Sequence, residues 1–153
     1  MYREKSRDSE FEHKVVEISR IARTVAGGKR IRFRALVVSG DRNGHVWIGL
    51  SKANDLSEAI KKATSQSKKE MISVPLKDGT IACSVYFKYG PAKIILRPAK
   101  KGKSIMAGSS VKTVLELAGI KNISAKILGS HNKLNNAKAT YFALQQLKKY
   151  QGE

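Results

Sequence analysis

Ile31, Phe33, Ala35 and Val37 alternate with Arg32 and Arg34, and the run ends in Asp41-Arg42-Asn43-Gly44. No other stretch constrains the fold as much. A period of two places the apolar set on one face of an extended strand and the arginines on the other, so a half-buried strand with outward arginines is expected over Ile31 to Val38. Asn-Gly tolerates the positive φ of a primed turn, so the chain should reverse there. His45 to Leu50 then returns as a strand, and Gly49 within it reads as a bulge. Upstream, Phe11 to Ala22 holds Val15, Val16, Ile18, Ile21 and Ala22. That pattern fits neither period cleanly, and strand is expected after His13. Gly27-Gly28 marks a turn between Thr24 and Lys29.

Leu56 to Met71 is the clearest helix. Ser57 can cap it, and Ala59, Ile60, Ala63, Ser67, Glu70 and Met71 mark its inward side. Lys61, Lys62, Lys68 and Lys69 recur at heptad spacing and form one exposed basic stripe. The first half therefore reads β-β-β-α. Val74-Pro75-Leu76 and Lys77-Asp78-Gly79 form a boundary without low-complexity sequence, so the two halves should touch. Ile81 to Phe87 and Ala92 to Arg97 read as strands around Tyr89-Gly90-Pro91, and Pro98 to Ser104 as a basic loop. Ser109 or Ser110 caps a helix through Ala118 that Gly119 ends. Asn122 to Leu128 is a strand. Asn135 or Asn136 caps the last helix, with Ala139, Phe142, Ala143 and Leu147 on its core face. The second half reads β-β-α-β-α. The fold class is α+β in two small domains, 13–76 and 77–150, after an N-terminal arm over 1–12 in which Met1 to Asp8 is solvated.

Charge narrows the function. The 30 lysines and arginines outweigh 12 acids among 153 residues, a formal net charge of +18. Such self-repulsion favours a polyanionic partner, because neutralised phosphates release condensed counterions. Residues 76–153 hold 14 basic side chains and only three acids, Asp78, Glu116 and Glu153. That composition suits a phosphate-facing surface and leaves little for a catalytic carboxylate pair. Apolar runs such as Ala35 to Val38 and Ile94 to Leu96 are too short to span a bilayer, and no membrane partner is expected. Met1 to Phe11 is charged throughout and carries no signal-like apolar stretch. The single cysteine, Cys83, forms no intrachain disulfide and reads as a small core residue.

Few residues support chemistry. Gly102-Lys103-Ser104 imitates the end of a phosphate-binding loop, but Arg97 stands where that motif needs its first glycine, and Pro98 stiffens the approach. His13, His45 and His131 lie far apart, with no cysteine or carboxylate at ligand spacing, so no metal, cofactor or small-molecule substrate is expected. Arg20, Arg23, Lys29, Arg30, Arg32 and Arg34 flank Gly27-Gly28 with no acid from Ile18 to Leu36. Arginine forks suit phosphate oxygens, and glycines let backbone approach closely. Phe33, Trp47, Tyr86, Phe87 and Tyr89 could stack on bases. Phe33 and Trp47 fit a core better.

In order and spacing, many short blocks resemble small-subunit ribosomal protein five of bacteria and organelles, over about Val15 to Leu147. They include Arg23-Thr-Val-Ala-Gly-Gly-Lys-Arg30, Phe33-Arg-Ala-Leu-Val-Val38, Gly40-Asp-Arg-Asn-Gly44, Lys52-Ala53 and Ala59-Ile-Lys-Lys-Ala63. Val74-Pro-Leu76, Ile105-Met-Ala-Gly108, Val114-Leu-Glu-Leu-Ala-Gly-Ile120, Leu128-Gly-Ser130, Asn132 and Lys138-Ala-Thr140 continue the series. Trp47-Ile48 and Leu50-Ser51 depart from the family's glycine-rich run, Lys133 stands where proline is frequent, and Ser109-Ser110 where glycine is common.

The resemblance implies a double-stranded-RNA-binding-like first domain without its leading helix, and a second-domain sandwich with a left-handed crossover. It implies a non-enzymatic ribosomal component that binds small-subunit 16S-type rRNA and ribosomal proteins four and eight. It further implies a place on the solvent side where body meets head, stabilising the head relative to the body, together with a share in lining the mRNA entry channel and a part in translational accuracy. Location on a cytoplasmic or organellar ribosome follows. Its expected rRNA contacts are Arg20, Arg23, Gly27, Gly28, Lys29, Arg30, Arg32, Arg34, Arg42, Lys52, Lys61, Lys62, Ser130, Asn132 and Lys138. Lys100, Lys101, Gly102, Lys103 and Lys112 should face ribosomal protein four. Two alternatives are a free-standing double-stranded-RNA-binding regulator, which needs the leading helix, and a kinase-like enzyme, which needs a true phosphate loop and a metal-binding carboxylate.

Overall fold

A computed structural model describes residues 11–150; the arm Met1 to Asp8 lies outside them. Three long strands open the chain: β1 (Glu12–Val25), β2 (Gly28–Gly40) and β3 (His45–Ala53). Helix α1 (Leu56–Ser67), a 3-10 turn over Lys68–Glu70 and the short β4 (Ile72–Ser73) follow. The four strands form one antiparallel sheet in sequence order. The second sheet contains β5 (Val85–Tyr89), β6 (Ala92–Pro98), β7 (Ile105–Met106) and β8 (Ile123–Ile127), ordered β5-β6-β8-β7 with β7 parallel to β8. Helix α2 (Ser109–Leu117) joins β7 to β8, and α3 (Lys133–Tyr150) closes the described chain. The α+β class and both orders of elements agree with the sequence reading, apart from two strands of two residues each that it lacks, β4 in the first half and β7 in the second.

Strand β2 is not half-buried. Ala35 to Gly40 is buried on both faces, whereas Gly28 to Arg32 is exposed on both. Ala35 and Val37 meet Ala53, Ala59 and Ala63 beneath α1. Leu36 and Val38 point the other way and join one core with Ile94, Leu96, Val114, Leu117, Ile123 and Leu144 of the second half. Side chains of this size each stabilise by about 1.5–3 kcal/mol on full burial, so this shared core binds the halves firmly.

Glycines and backbone amides set the closest approaches. A Cβ at Gly49 would stand 1.9 Å from the Ala63 carbonyl oxygen. The strand register through Gly49 is continuous, so this glycine marks contact with α1 and not a bulge; the sheet's irregularity falls between Val15 and Glu17. The two halves meet at the β2–β3 loop. The N–H groups of Arg42 and Gly44 donate to Leu117 O (3.1 Å) and Ala118 O (3.0 Å). These are terminal carbonyls of α2 that lack partners within the helix. Cβ atoms at Gly40 and Gly119 would fall 2.2 Å from Leu117 O and 2.0 Å from Arg42 O. The loop spans four residues, with Arg42 (φ 58°) and Gly44 (φ 98°) at positive φ, and is not the two-residue primed turn that Asn43-Gly44 suggested. Asp41 Oδ1 holds it by accepting from the N–H groups of Asn43 (2.8 Å) and His45 (3.1 Å).

Several local expectations need correction. Cys83 is exposed, because Ala82 to Ser84 run over the surface between the buried Ile81 and the start of the strand at Val85, not Ile81. Asp55, not Ser57, occupies the cap position of α1; the helix stops at Ser67, and Glu70 and Met71 are exposed beyond it. Gly108 precedes α2, so Ser109 and Ser110 lie in its first turn, with Ser110 buried. Helix α3 starts at Lys133, and Asn132 caps it: Asn132 Oδ1 accepts from the Leu134 N–H at 3.0 Å. Asn135 and Asn136 sit inside the first turn.

Candidate nucleic-acid interface

The length of β1 and β2 creates the principal site. Strand β3 pairs only with Phe33 to Gly40 of β2, so the far ends of β1 and β2 continue as a two-stranded ribbon. Its turn is Ala26-Gly27, and Gly28 opens β2 at φ 135°. Direct cross-strand partners share a face. Ser19, Ile21 and Arg23 oppose Arg34, Arg32 and Arg30, and Lys52 of β3 extends the Arg34 row. One face thus gathers Arg23, Arg30, Arg32, Arg34 and Lys52, and a shallow hollow there is lined by Ile21, Ala22, Arg23, Arg30, Arg32 and Lys52. The opposite face carries Arg20 and Lys29 beside Thr24, Ile31 and Phe33. Arg23 directly faces Arg30, a like-charge pair that destabilises an isolated ribbon and that an anion would relieve. Phe33 packs against the core beneath α1, and Trp47 is buried there with Phe11 edge-on at 4.8 Å. The departure at Trp47 therefore lies inside the fold, away from this ribbon.

Other expected contacts lie elsewhere. Lys61 and Lys62 are exposed on α1, where Lys62 stands 3.5 Å from Glu58. Arg42 sits at the junction of the halves and donates from Nε to Glu12 Oε2 at 2.7 Å. That hydrogen bond raises the Arg42 pKa and lowers the Glu12 pKa from its ordinary value. Burial alone would raise Asp41, but hydrogen bonds from the Asn43 N–H and from the ring and N–H of His45 hold it below the usual carboxylate range. Ser130 and Asn132 spend side-chain oxygens on the start of α3: Ser130 Oγ accepts from Asn132 N–H, and Asn132 Oδ1 from Leu134 N–H. Lys138 lies 5.9 Å from the Tyr89 ring centre, in a groove shared with Ile48, Leu50, Glu70 and Tyr141.

Lys100, Lys101, Gly102 and Lys103 form an exposed loop before β7, and Lys112 follows in the first turn of α2, with Glu116 at 3.9 Å. Asn122, which the sequence reading did not single out, organises this loop. Its buried Oδ1 accepts from the N–H groups of Gly102 (3.0 Å) and Ser104 (3.3 Å). Two amides that a phosphate cradle would present are thereby occupied. The residue type was the available signal, since a short amide side chain mimics a backbone acceptor. Glu116 also binds Lys14 Nζ at 3.0 Å across the junction of the halves. Among the described residues no group of three or more histidine, cysteine or acidic side chains could hold a metal, and no helix is long and apolar enough to cross a membrane.

Two α+β modules fused through a common core, with a cationic ribbon reaching beyond it, define a structural protein of the nucleic-acid-anchoring class. Residues 11–75 match the family described as ribosomal protein S5, N-terminal domain, and residues 87–153 match ribosomal protein S5, C-terminal domain. The chain is 46% identical to small ribosomal subunit protein uS5c of Rhodomonas salina over 147 residues, covering 95% of this chain and 88% of the relative. It is 45% identical to uS5 of a Synechocystis species, covering 97% and 86%. With uS5 of Acaryochloris marina the identity is 44%, covering 97% and 84%. The chain belongs to the ribosomal protein S5 family.

Proposed function

We propose that this chain is a structural, non-enzymatic constituent of the small ribosomal subunit, held to rRNA chiefly by the β1–β2 ribbon. Membership of the S5 family makes it a partner of rRNA and of other ribosomal proteins, on a ribosome of the cytoplasm or of an organelle. The observation that carries the ribbon's role is its acid-free face, where Arg23 opposes Arg30 and both strands are exposed. Phosphates neutralise that repulsion, and the fixed ribbon backbone presents the guanidinium forks without prior ordering. Lys61 and Lys62 on α1 and Lys138 beside Tyr89 supply further phosphate contacts at a distance from it. Ser130 and Asn132 contribute by holding the start of α3 in place.

Finer assignments follow from the family resemblance. The Lys100–Lys103 loop and Lys112 face ribosomal protein four, protein eight is a second neighbour, and the protein stabilises the head relative to the body and helps line the mRNA entry channel. The Asn122-braced loop supports the first assignment, because a fixed cationic rim sets the rate and register with which two surfaces meet. Replacing Arg23, Lys29 and Arg30 together by alanine should leave folding intact and lower occupancy on small subunits. Unchanged occupancy would refute the ribbon's role. Lys101→Glu with Lys112→Glu, in subunits that assemble normally, should alter misreading frequency; normal fidelity would remove the accuracy role.

A further inference from the structure

The second sheet has one covered face and one open face, and the open face carries its own pattern. Inward side chains such as Ile94, Leu96 and Ile123 are fully buried. The outward positions form rows fixed by the register. Tyr86 faces Ile95, which faces Lys126. Lys88 faces Lys93, beyond which the Leu128 N–H donates to the Lys93 carbonyl at 2.9 Å. Arg97 faces Ser124, which pairs with Met106 of β7. Lys88, Lys93, Arg97 and Lys126 are exposed, none forms an ion pair with a described residue, and no acid stands among these rows.

Two features distinguish this surface from ordinary solvated sheet. Lys88 directly opposes Lys93, a like-charge pair that costs stability in the isolated protein. Tyr86 is 55% exposed and stands between these cations, whereas its neighbours Phe87 and Tyr89 turn inward and stack against Phe142. An aromatic ring on a sheet face, with cations spaced along and across the strands, matches the needs of a single-stranded nucleic acid. The bases have a π-face to stack, and the backbone supplies a phosphate for each cation.

We infer that the open face of the second sheet, with Tyr86, Lys88, Lys93, Arg97 and Lys126, is a second RNA-binding surface that takes an unpaired rRNA segment, its base stacked on Tyr86 and its phosphates on the three lysines and the arginine. The inference rests on the rRNA-bound reading above but uses none of the ribbon residues. An acidic protein would also meet the charge. It would leave the opposed lysines desolvated at an interface type where lysine is depleted, so RNA is the better occupant.

Chemical acetylation of lysines in the intact chain tests this without any substitution. Deproteinised small-subunit rRNA alone should protect Lys88, Lys93 and Lys126 as it protects Lys29. Protection that appears only when other small-subunit proteins are added would overturn the inference in favour of a protein partner. A second arm uses a variant with Arg23, Arg30 and Arg32 replaced by alanine, and a fluorescent single-stranded RNA of mixed sequence as the probe. Residual binding should remain, and Tyr86→Leu in that background should weaken it about fivefold or more. Lys88→Ala with Lys93→Ala and Lys126→Ala should lower its log–log salt slope by about 2, at roughly 0.7 per phosphate contact. Residual binding indifferent to all four substitutions would refute the second surface while leaving the ribbon's role standing. A triple-arginine variant that binds the probe as tightly as the parent chain would instead refute the ribbon.

Discussion

The two halves of β2 share a strand and a partner, yet they live under opposite constraints. From Ala35 to Gly40 both faces are buried, one against α1 and the other in the core shared with the second sheet. From Gly28 to Arg32 both faces are exposed, and among the described residues the only strand alongside is β1. In the buried half every side chain is judged by packing, and a methylene matters. In the exposed half the side chains are released from packing, and charge accumulates there without acids. The strand is thus anchored at one end and operative at the other, so folding and binding should respond to different substitutions.

The junction beneath the buried half should show the largest effect. Gly119→Val places a side chain against the Arg42 carbonyl at positive φ, and should cost about 4 kcal/mol in chemical denaturation. A loss below about 1 kcal/mol would mean the halves are not held together as described. Next, Leu36→Ala should cost about 3 kcal/mol, whereas Ile31→Ala, on the same strand but outside the core, should change stability by no more than about 0.5 kcal/mol. Equal losses would erase the distinction between anchored and operative segments. The smallest expected effect concerns pH. The Asp41 pKa is lowered in the folded protein, so its contribution is present above the unfolded value near 3.8 and is lost as pH falls through the lower folded value. Asp41→Ala should cost about 1 kcal/mol at neutral pH and flatten the stability profile below about pH 4. An unaltered acid limb would place the sensitivity in other carboxylates.

Much of this division was visible in the sequence, in uneven ways. Alternation at Ile31 to Phe33 with intervening arginines marked a strand, and the acid-free span from Ile18 to Leu36 marked the ribbon as cationic. The unbroken run Ala35-Leu36-Val37-Val38 already departed from that alternation, as strands buried on both faces do. Applying the half-buried pattern to the whole strand hid this. Cys83 failed because apolar neighbours do not ensure an inward path when the strand begins two residues later. Gly49 and Gly119 were legible as glycines but not as contacts, since what they approach is backbone far away in sequence. Asn122 and Asn132 were equally hidden, because an amide that accepts from a loop or caps a helix looks in sequence like any strand-end or turn residue. The cross-strand oppositions Arg23–Arg30 and Lys88–Lys93 depend on register, which turn length sets and composition does not.

The separation of anchoring from binding is tested most directly by the salt dependence of affinity for deproteinised small-subunit rRNA. The parent chain and the variant with Arg23, Arg30 and Arg32 replaced by alanine should have the same denaturation midpoint within about 0.5 kcal/mol of stability. The variant should bind more weakly, with a log–log salt slope smaller in magnitude by roughly 2–3, at about 0.7–0.9 for each phosphate no longer neutralised. An identical slope and affinity, or a variant that unfolds along with its loss of binding, would contradict the account.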